Sequence, residues 1–319
     1  MRGTALDALA ELNRARSLVL TTHINPDGDA LGSMLALFLY LREKNVQVQM
    51  WLDDNLPGMY SFLPGLENIE RPPSAPTQGD LLVVLDAGEA SRTGSAAKNF
   101  RGRVLNIDHH LSNGNFADVT YIDESASATG LLIQRILDEA GAHVSPEMAT
   151  CLFTAIATDC GFFRYANTDA ETLHAAARLV HLGAQPHMIS EQIQTMPLSK
   201  ITALSRVLDT LEVSDCGRVA SIEVPPGVAA ADVEDTEGFI DYPRNIVGVE
   251  VAIMYKPLPE KEAVKLSFRS RRLNVSDLSR SLGGGGHARA AGCTLKGSME
   301  EVKEKVLPRV LEALREAGL

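Results

Sequence analysis

Apolar residues in the N-terminal part of the chain fall into two alternating rhythms. Short unbroken runs occur at Leu18-Val19-Leu20, over Asp80 to Leu85, and over Arg103 to Ile107. Between them lie longer stretches with helical spacing, such as Leu31, Met34, Leu35, Phe38 and Leu41. Unbroken runs of this length read as strands buried on both faces, and the spaced stretches as helices packed on one side. Val46 to Leu52 alternates with period two and predicts another strand, and Val119 to Ile122 a further one. Helices are predicted over residues 4–14, from Ser125 to Thr129 through Leu137 to Gly141, after the Ser145-Pro146-Glu147 cap, and over 170–194. Strands and helices alternating in this way predict an α/β domain with a mainly parallel sheet flanked by helices.

The pattern changes beyond residue 194. A connecting helix is predicted over 195–213, then short alternating strands at Val219 to Val224, Val249 to Tyr255 and Val264 to Phe268. A short helix around Ser276 to Leu282 and a closing helix from Ser298 to about Ala317 follow. The expected organisation is one domain over 1–194, a helical linker over 195–213, and a smaller mixed α/β domain over 214–319.

Chemistry gathers where the apolar runs stop. The first run is followed by His23, Asp27 and Asp29; the second delivers Asp86; the third delivers Asp108, His109 and His110. Another carboxylate, Asp159, ends the apolar helix body of Met148, Leu152, Phe153 and Ile156. Helix capping accounts for one carboxylate at Asp27 or Asp29, but for neither the other nor His23. Parallel neighbouring strands share one carboxyl edge, where open α/β sheets place ligands, so these residues are expected to converge. Carboxylates crowded at one edge repel each other unless cations lie between them. A donor set of carboxylates with a few imidazoles and no thiolate favours Mn²⁺ or Mg²⁺ over Zn²⁺, and this many ligands suit two ions better than one.

Composition narrows the class. The chain has 319 residues, 45% hydrophobic and 22% charged, with a net charge of −11. An acidic surface argues against general attraction to nucleic acid, so an anionic substrate has to be met by local cations. No apolar run approaches the ~18 to 20 residues that span a bilayer, no signal-peptide pattern opens the sequence, and the four cysteines show no C-x-x-C pairing. A cytoplasmic protein with reduced thiols is expected. Local cations do occur. Arg92 follows Asp86 closely, and between Lys265 and Arg289 six basic residues face Asp277 alone. The basic stretch ends in Gly283-Gly284-Gly285-Gly286-His287-Ala288-Arg289, where backbone N–H groups can form an anion nest with His287 and Arg289 as side-chain donors.

In chain order, His23-x3-Asp27-x-Asp29, Asp86, Asp108-His109-His110, Asp159 and the Gly283–Gly292 segment resemble the DHH phosphoesterase superfamily with its DHH-associated second domain. The motifs span residues 23–292. The two-domain length is most similar to the group of bacterial nanoRNases and 3′-phosphoadenosine 5′-phosphate (pAp) phosphatases. That resemblance implies one ion held by His23, Asp27 and Asp86 and another by Asp29, Asp86, His109 and Asp159, with Asp86 bridging. It further implies that Asp108 orients His109, and that His110 faces the phosphate as hydrogen-bond donor or general acid. Arg92, Gly285, Gly286, His287 and Arg289 are the expected substrate contacts. Cys160 departs from the family pattern, in which a hydroxyl residue commonly follows the aspartate.

The implied activity is two-metal hydrolysis of short oligoribonucleotides or pAp, with Mn²⁺ ahead of Mg²⁺ or Co²⁺. Expected partners are short single-stranded RNA or a nucleotide bisphosphate, with neither duplex nor membrane; a homodimer is compatible with this. Two alternatives carry different chemistry: a soluble phosphodiesterase for cyclic dinucleotides or linear pApA, and a catalytically dead nucleotide-binding module.

Overall fold

The computed structural model describes residues 3–110, 114, 116–229, 236 and 238–319. The chain divides into two units, Met1–Thr195 and Met196–Leu319. Among the described residues, no helix is long and apolar enough to cross a membrane.

In the first unit the strands are β1 (Ser17–Thr21), β2 (Gln47–Trp51), β3 (Ile69–Glu70), β4 (Thr77–Leu85), β5 (Phe100–Asp108) and β6 (Val119–Ile122). They form one sheet in the order β3-β2-β1-β4-β5-β6, every pair parallel. The order reverses between β1 and β4, so the chain departs in opposite directions from their carboxyl ends and leaves a crevice there. The helices are α1 (Ala5–Arg14), α2 (Gly28–Glu43), the single turn α3 (Ala96–Asn99), α4 (Thr129–Glu139), α5 (Pro146–Asp159), α6 (Ala170–His181) and α7 (Pro186–Gln194). Leu18, Leu20, Val83, Leu85, Leu105 and Ile107 pack on one sheet face with Leu31, Leu35, Leu132, Leu152 and Ile156 of the helices. Val19, Leu82 and Val84 point the other way, into a smaller cluster where Trp51 meets Phe100 edge-on. Burial on both faces is why these strands read as unbroken apolar runs.

Residues 170–194, expected to be helical throughout, form two helices. Gly183 has a φ of +115° and Pro186 opens α7, and together they break the path between α6 and α7.

One helix contact sets the geometry of the crevice. A Cβ on Gly28 would lie 2.6 Å from Thr158 Cγ2, one on Gly32 would lie 2.9 Å from Ala155 Cβ, and one on Gly130 2.5 Å from the same Ala155. Glycine at these three positions lets α2 and α4 press directly onto α5. The first turn of α2, carrying Asp29, is thereby set beside the last residue of α5, Asp159.

The second unit contains α8 (Leu198–Leu208), β7 (Glu212–Val213), β8 (Val219–Glu223), α9 (Pro226–Ala229), α10 (Asp241–Arg244), β9 (Val251–Leu258), β10 (Ala263–Ser270), α11 (Val275–Ser281), β11 (Gly285–His287), β12 (Ala290–Lys296) and α12 (Met299–Glu316). Its sheet runs β11-β12-β10-β9-β8-β7, antiparallel except for β8 with β9. Val302, Val306, Val310 and Leu314 of α12 pack with Leu266 and Phe268 of β10. Helix α8, in the segment expected as a linker, contributes Ala203, Leu204 and Val207 to a cluster with Ile222, Phe239 and Met254. Part of the glycine run is strand, because Gly285–His287 pairs with Ala290–Gly292 at the sheet edge. The pairing is close enough that a Cβ on Gly286 would lie 2.5 Å from Ala291 Cα.

Replacing a helical glycine by alanine ordinarily stabilises a helix by about 0.5–1 kcal/mol. At Gly32 the sign should reverse. We expect Gly32→Ala to destabilise the protein by about 1–3 kcal/mol through forced separation of α2 and α5, measured as a lower urea midpoint with an unchanged slope.

Candidate metal centre

The loop after β1 is fixed by backbone contacts before any side chain enters the crevice. Ile24 N–H donates to the Arg92 carbonyl at 2.7 Å. Asn25, at a φ of +54°, donates its N–H to Asp54 Oδ2 at 2.6 Å. His23 is thus held at the crevice with Nδ1 against the Ile24 carbonyl at 2.9 Å. A carbonyl only accepts, so Nδ1 carries the proton and Nε2 faces inward, 3.5 Å from Asp86 Oδ2 and 3.9 Å from Asp27 Oδ2.

His109 is built the same way. Its Nδ1 faces the Ala126 carbonyl at 3.2 Å, and Nε2 stands 3.6 Å from Asp86 Oδ1, 3.7 Å from Asp29 Oδ2 and 3.8 Å from Asp159 Oδ2. These separations are too long for hydrogen bonds and short enough for atoms sharing a cation. Among the described residues, three groups have donor atoms all within 4.8 Å of one another: His23, Asp27 and Asp86; Asp29, His109 and Asp159; and Asp86, His109 and His110.

Each carboxylate also has a second hold. Asp27 caps α2 with Oδ1, which accepts from Ala30 N–H at 3.0 Å, and turns Oδ2 toward His23. Asp29, in the first turn of α2, caps α4 across the interface: Oδ2 accepts from Thr129 N–H at 2.6 Å, and Oδ1 from Gly130 N–H at 2.8 Å and Ser33 Oγ at 3.0 Å. The sequence places the start of this helix within the hydroxyl-rich stretch from Ser125 to Thr129. The cap position is Ala128, which has no side-chain hydrogen bond to offer, and Asp29 takes over. Asp86, 2% exposed, has a φ of +56° and accepts from Thr129 Oγ1 at 3.0 Å. Asp159 ends α5, and Asn167 Nδ2 bridges its Oδ2 at 3.4 Å and the Ser127 carbonyl at 3.1 Å.

Asp108 differs from the expectation that it orients His109. Its Oδ1 binds His110 Nδ1 at 2.7 Å and His110 N–H at 3.2 Å. Two residues apart on a chain leaving the strand, Asp108 and His110 reach the same side, and the Ala126 carbonyl serves His109 instead. Arg92 is exposed in the turn Ala90–Thr93, and its charge acts on His110. That turn is tied down where Ser95 Oγ donates to Asp53 Oδ1 at 2.7 Å. Gly285, Gly286 and His287 form β11 in the second unit, with Arg289 beyond it, donating to the Arg272 carbonyl.

The electrostatics are those of a site short of positive charge. Burial, and then the charges of Asp86, Asp159 and Asp27, push the Asp29 carboxyl well above its ordinary value. Burial likewise raises Asp159 to about 6, with Asp86 and Asp27 adding to it and His109 opposing. Burial works against a charge on His23, yet Asp27 and Asp86 outweigh it and push the imidazole up to about 10. His110 is raised in the same sense against its burial, by Asp108 and Asp86. Protons on these groups stand where cations would otherwise balance the carboxylates, so the donor set fits hard divalent ions.

Sequence reasoning missed Thr129, Ser33 and Asn167, which brace the carboxylates. It also missed Asp53 and Asp54, which fasten the two loops. The adjacent aspartates at the end of β2 were a readable signal; the others gain meaning only through contacts distant in sequence.

Comparisons with known proteins agree with this geometry. Residues 17–156 match the DHH family, N-terminal domain, and residues 224–317 match the DHHA1 domain. The chain is 35% identical over 303 residues to the bifunctional oligoribonuclease and PAP phosphatase NrnA of Thermus thermophilus, covering 94% of this chain and 91% of that protein. It is 24% identical over 288 residues to the protein of the same name in Bacillus subtilis, covering 88% and 89%. The crystal structure of an exopolyphosphatase-related protein from Bacteroides fragilis shares the fold, with a TM-score of 0.86 at 24% identity over 98% of this chain and 95% of that one. The extent of these matches and the carboxylate-imidazole crevice lead to one conclusion: the chain belongs to the DHH family, and its second unit carries the DHHA1 domain.

Proposed function

We propose that this protein is a divalent-metal-dependent phosphoesterase that hydrolyses short oligoribonucleotides and pAp. The relatives named as oligoribonucleases and PAP phosphatases support the substrate class. The observation that carries the chemistry is the meeting of His23, Asp27, Asp29, His109 and Asp159 around the buried Asp86. In this reading His23, Asp27 and Asp86 hold one ion, and Asp29, Asp86, His109 and Asp159 hold a second, with Mn²⁺ the favoured metal. Such ions, when bound, acidify water and neutralise charge that builds on a phosphoryl group during displacement.

The remaining work belongs to side chains. Asp108 holds His110 at Nδ1, and in this reading Nε2 is the atom turned to substrate. Asp108 and Asp86 raise the His110 pKa against its burial, which favours the protonated ring that would serve as donor to a phosphoryl oxygen or as acid to the leaving group. Thr129 holds Asp86 in place, and the carbonyls behind His23 and His109 engage Nδ1, so that Nε2 of each ring is the atom turned inward toward a metal. Arg92, close enough for its charge to be felt at His110, meets the phosphate undergoing reaction. Gly285, Gly286, His287 and Arg289 grip a second phosphate or the terminal nucleotide. A net charge of −11 works against general attraction to a long polyanion, which suits substrates of a few nucleotides.

Asp86→Asn should lower Mn²⁺-dependent turnover of pAp by at least about a thousandfold with an unchanged circular dichroism spectrum, since asparagine tolerates the left-handed backbone. Near-normal hydrolysis by this variant would refute the assignment.

A further expectation concerns pH. Asp159 titrates near 6 and His23 near 10 in the folded metal-free chain, both above their ordinary values of 3.8 and 6.5, so the stability each contributes is complete below its ordinary value and is lost as pH rises, through 6 for Asp159 and above 6.5 for His23. The metal-free protein should therefore melt at lower temperature at pH 7.5 than at pH 5.5, and Mn²⁺ should restore the difference. Calorimetric Mn²⁺ affinity should in turn weaken below pH 6, where protons compete for Asp159, and Asp159→Asn should flatten that dependence.

A further inference from the structure

Glu250 stands immediately before β9 and is only 3% exposed. Its Oε1 accepts the N–H groups of both Arg272 and Leu273, the latter at 3.0 Å, and Oε2 takes Arg272 Nε–H at 3.2 Å. Its own carbonyl accepts Arg271 N–H at 3.0 Å. The turn that follows β10 is therefore fastened to one buried carboxylate.

A trans peptide is planar, and its carbonyl points away from the N–H that follows. With Leu273 N–H directed at Glu250, the Arg272 carbonyl faces the other way, and there it accepts from Arg289 Nη1. The Arg289 carbonyl in turn accepts Ser270 N–H at 3.1 Å, and Val275 N–H bonds the carbonyl of Ala288 at 2.9 Å. Both the main chain and the guanidinium of Arg289 are thus registered against the segment that Glu250 holds.

We infer that Glu250 is a positioning residue for Arg289: it fixes the Arg272–Leu273 peptide whose carbonyl anchors the guanidinium, so that the remaining N–H donors of Arg289 are presented to a phosphate. This rests on the reading above, in which Arg289 grips substrate. A carboxylate is needed because three N–H groups converge on it. It is acceptor-only, whereas a glutamine would turn an NH₂ toward one of them. Burial works against the charge of Glu250, but the Arg272 and Leu273 N–H groups and the Arg272 guanidinium hold it below the usual carboxylate range, ionised at neutral pH. The effect on substrate is one of orientation, as a guanidinium anchored at one N–H loses less freedom when it closes on a phosphate.

A double-mutant cycle separates this role from a merely structural one. pAp hydrolysis and calorimetric pAp binding would be measured for the intact protein, Glu250→Ala, Glu250→Gln, Arg289→Ala and the Glu250→Ala/Arg289→Ala double variant. Loss of one charged hydrogen-bond anchor predicts a KM raised about tenfold in Glu250→Ala with kcat within about twofold, and an intermediate rise in Glu250→Gln. The double variant should bind pAp no more weakly than Arg289→Ala alone. Effects that multiply in the double variant, or an unchanged KM in a folded Glu250→Ala or Glu250→Gln, would overturn the inference. An unchanged affinity in Arg289→Ala would overturn it too, by removing the grip. A protein that binds pAp through Arg289 yet hydrolyses nothing would refute the phosphoesterase reading while leaving Glu250 in its role.

Discussion

Mutual repulsion among buried carboxylates is the constraint that the first unit is built to withstand. Asp29 and Asp86 are 1% and 2% exposed, and among the described residues their ion pairs, like those of Asp27 and Asp159, are with histidine alone. An arginine or lysine in the crevice would have neutralised them permanently. The fold instead steadies them with neutral donors: the first N–H groups of α4 on Asp29, the Ala30 N–H on Asp27, and Thr129 Oγ1 on Asp86. Neutral donors hold a carboxylate's position without cancelling its charge, so attraction for a divalent cation is preserved. The glycine contacts of α2 and α4 on α5 do the mechanical part, forcing Asp29 and Asp159 together.

Carboxylates acting on backbone N–H groups recur throughout the molecule. Asp54 holds the Asn25 N–H, Asp53 Oδ2 the Ser95 N–H beyond Arg92, Asp29 caps a neighbouring helix, and Glu250 holds the turn after β10. In each case an acid from one element fixes the backbone of another. Loops placed this way need little apolar burial of their own, which suits segments that have to stay open to substrate.

The parallel sheet was legible because strands buried on both faces leave unbroken apolar runs, and the site was legible because charged residues followed those runs at once. Asp86 after Leu85 and Asp108 after Ile107 are placed by topology once the strands are known to be parallel neighbours. Partner choice within the site was not legible. That Asp108 serves His110 depends on side-chain direction at the strand end, and that Asp29 caps α4 depends on a contact a hundred residues away. The second unit was harder to read. Gly285–His287 joins the sheet as an edge strand, a pairing that four glycines do not announce because they carry no side-chain pattern.

The backbone of Asp86 has an evolutionary corollary. A φ of +56° is comfortable for glycine and is strain that an aspartate tolerates better than most residues, and the same residue brings a negative charge into a pocket already crowded with them. Drift unopposed by selection would replace it with something more restful, and the protein would become sturdier as it fell silent. Retained descendants that no longer turn over substrate should therefore be recognisable first at this position, with the scaffold around it intact.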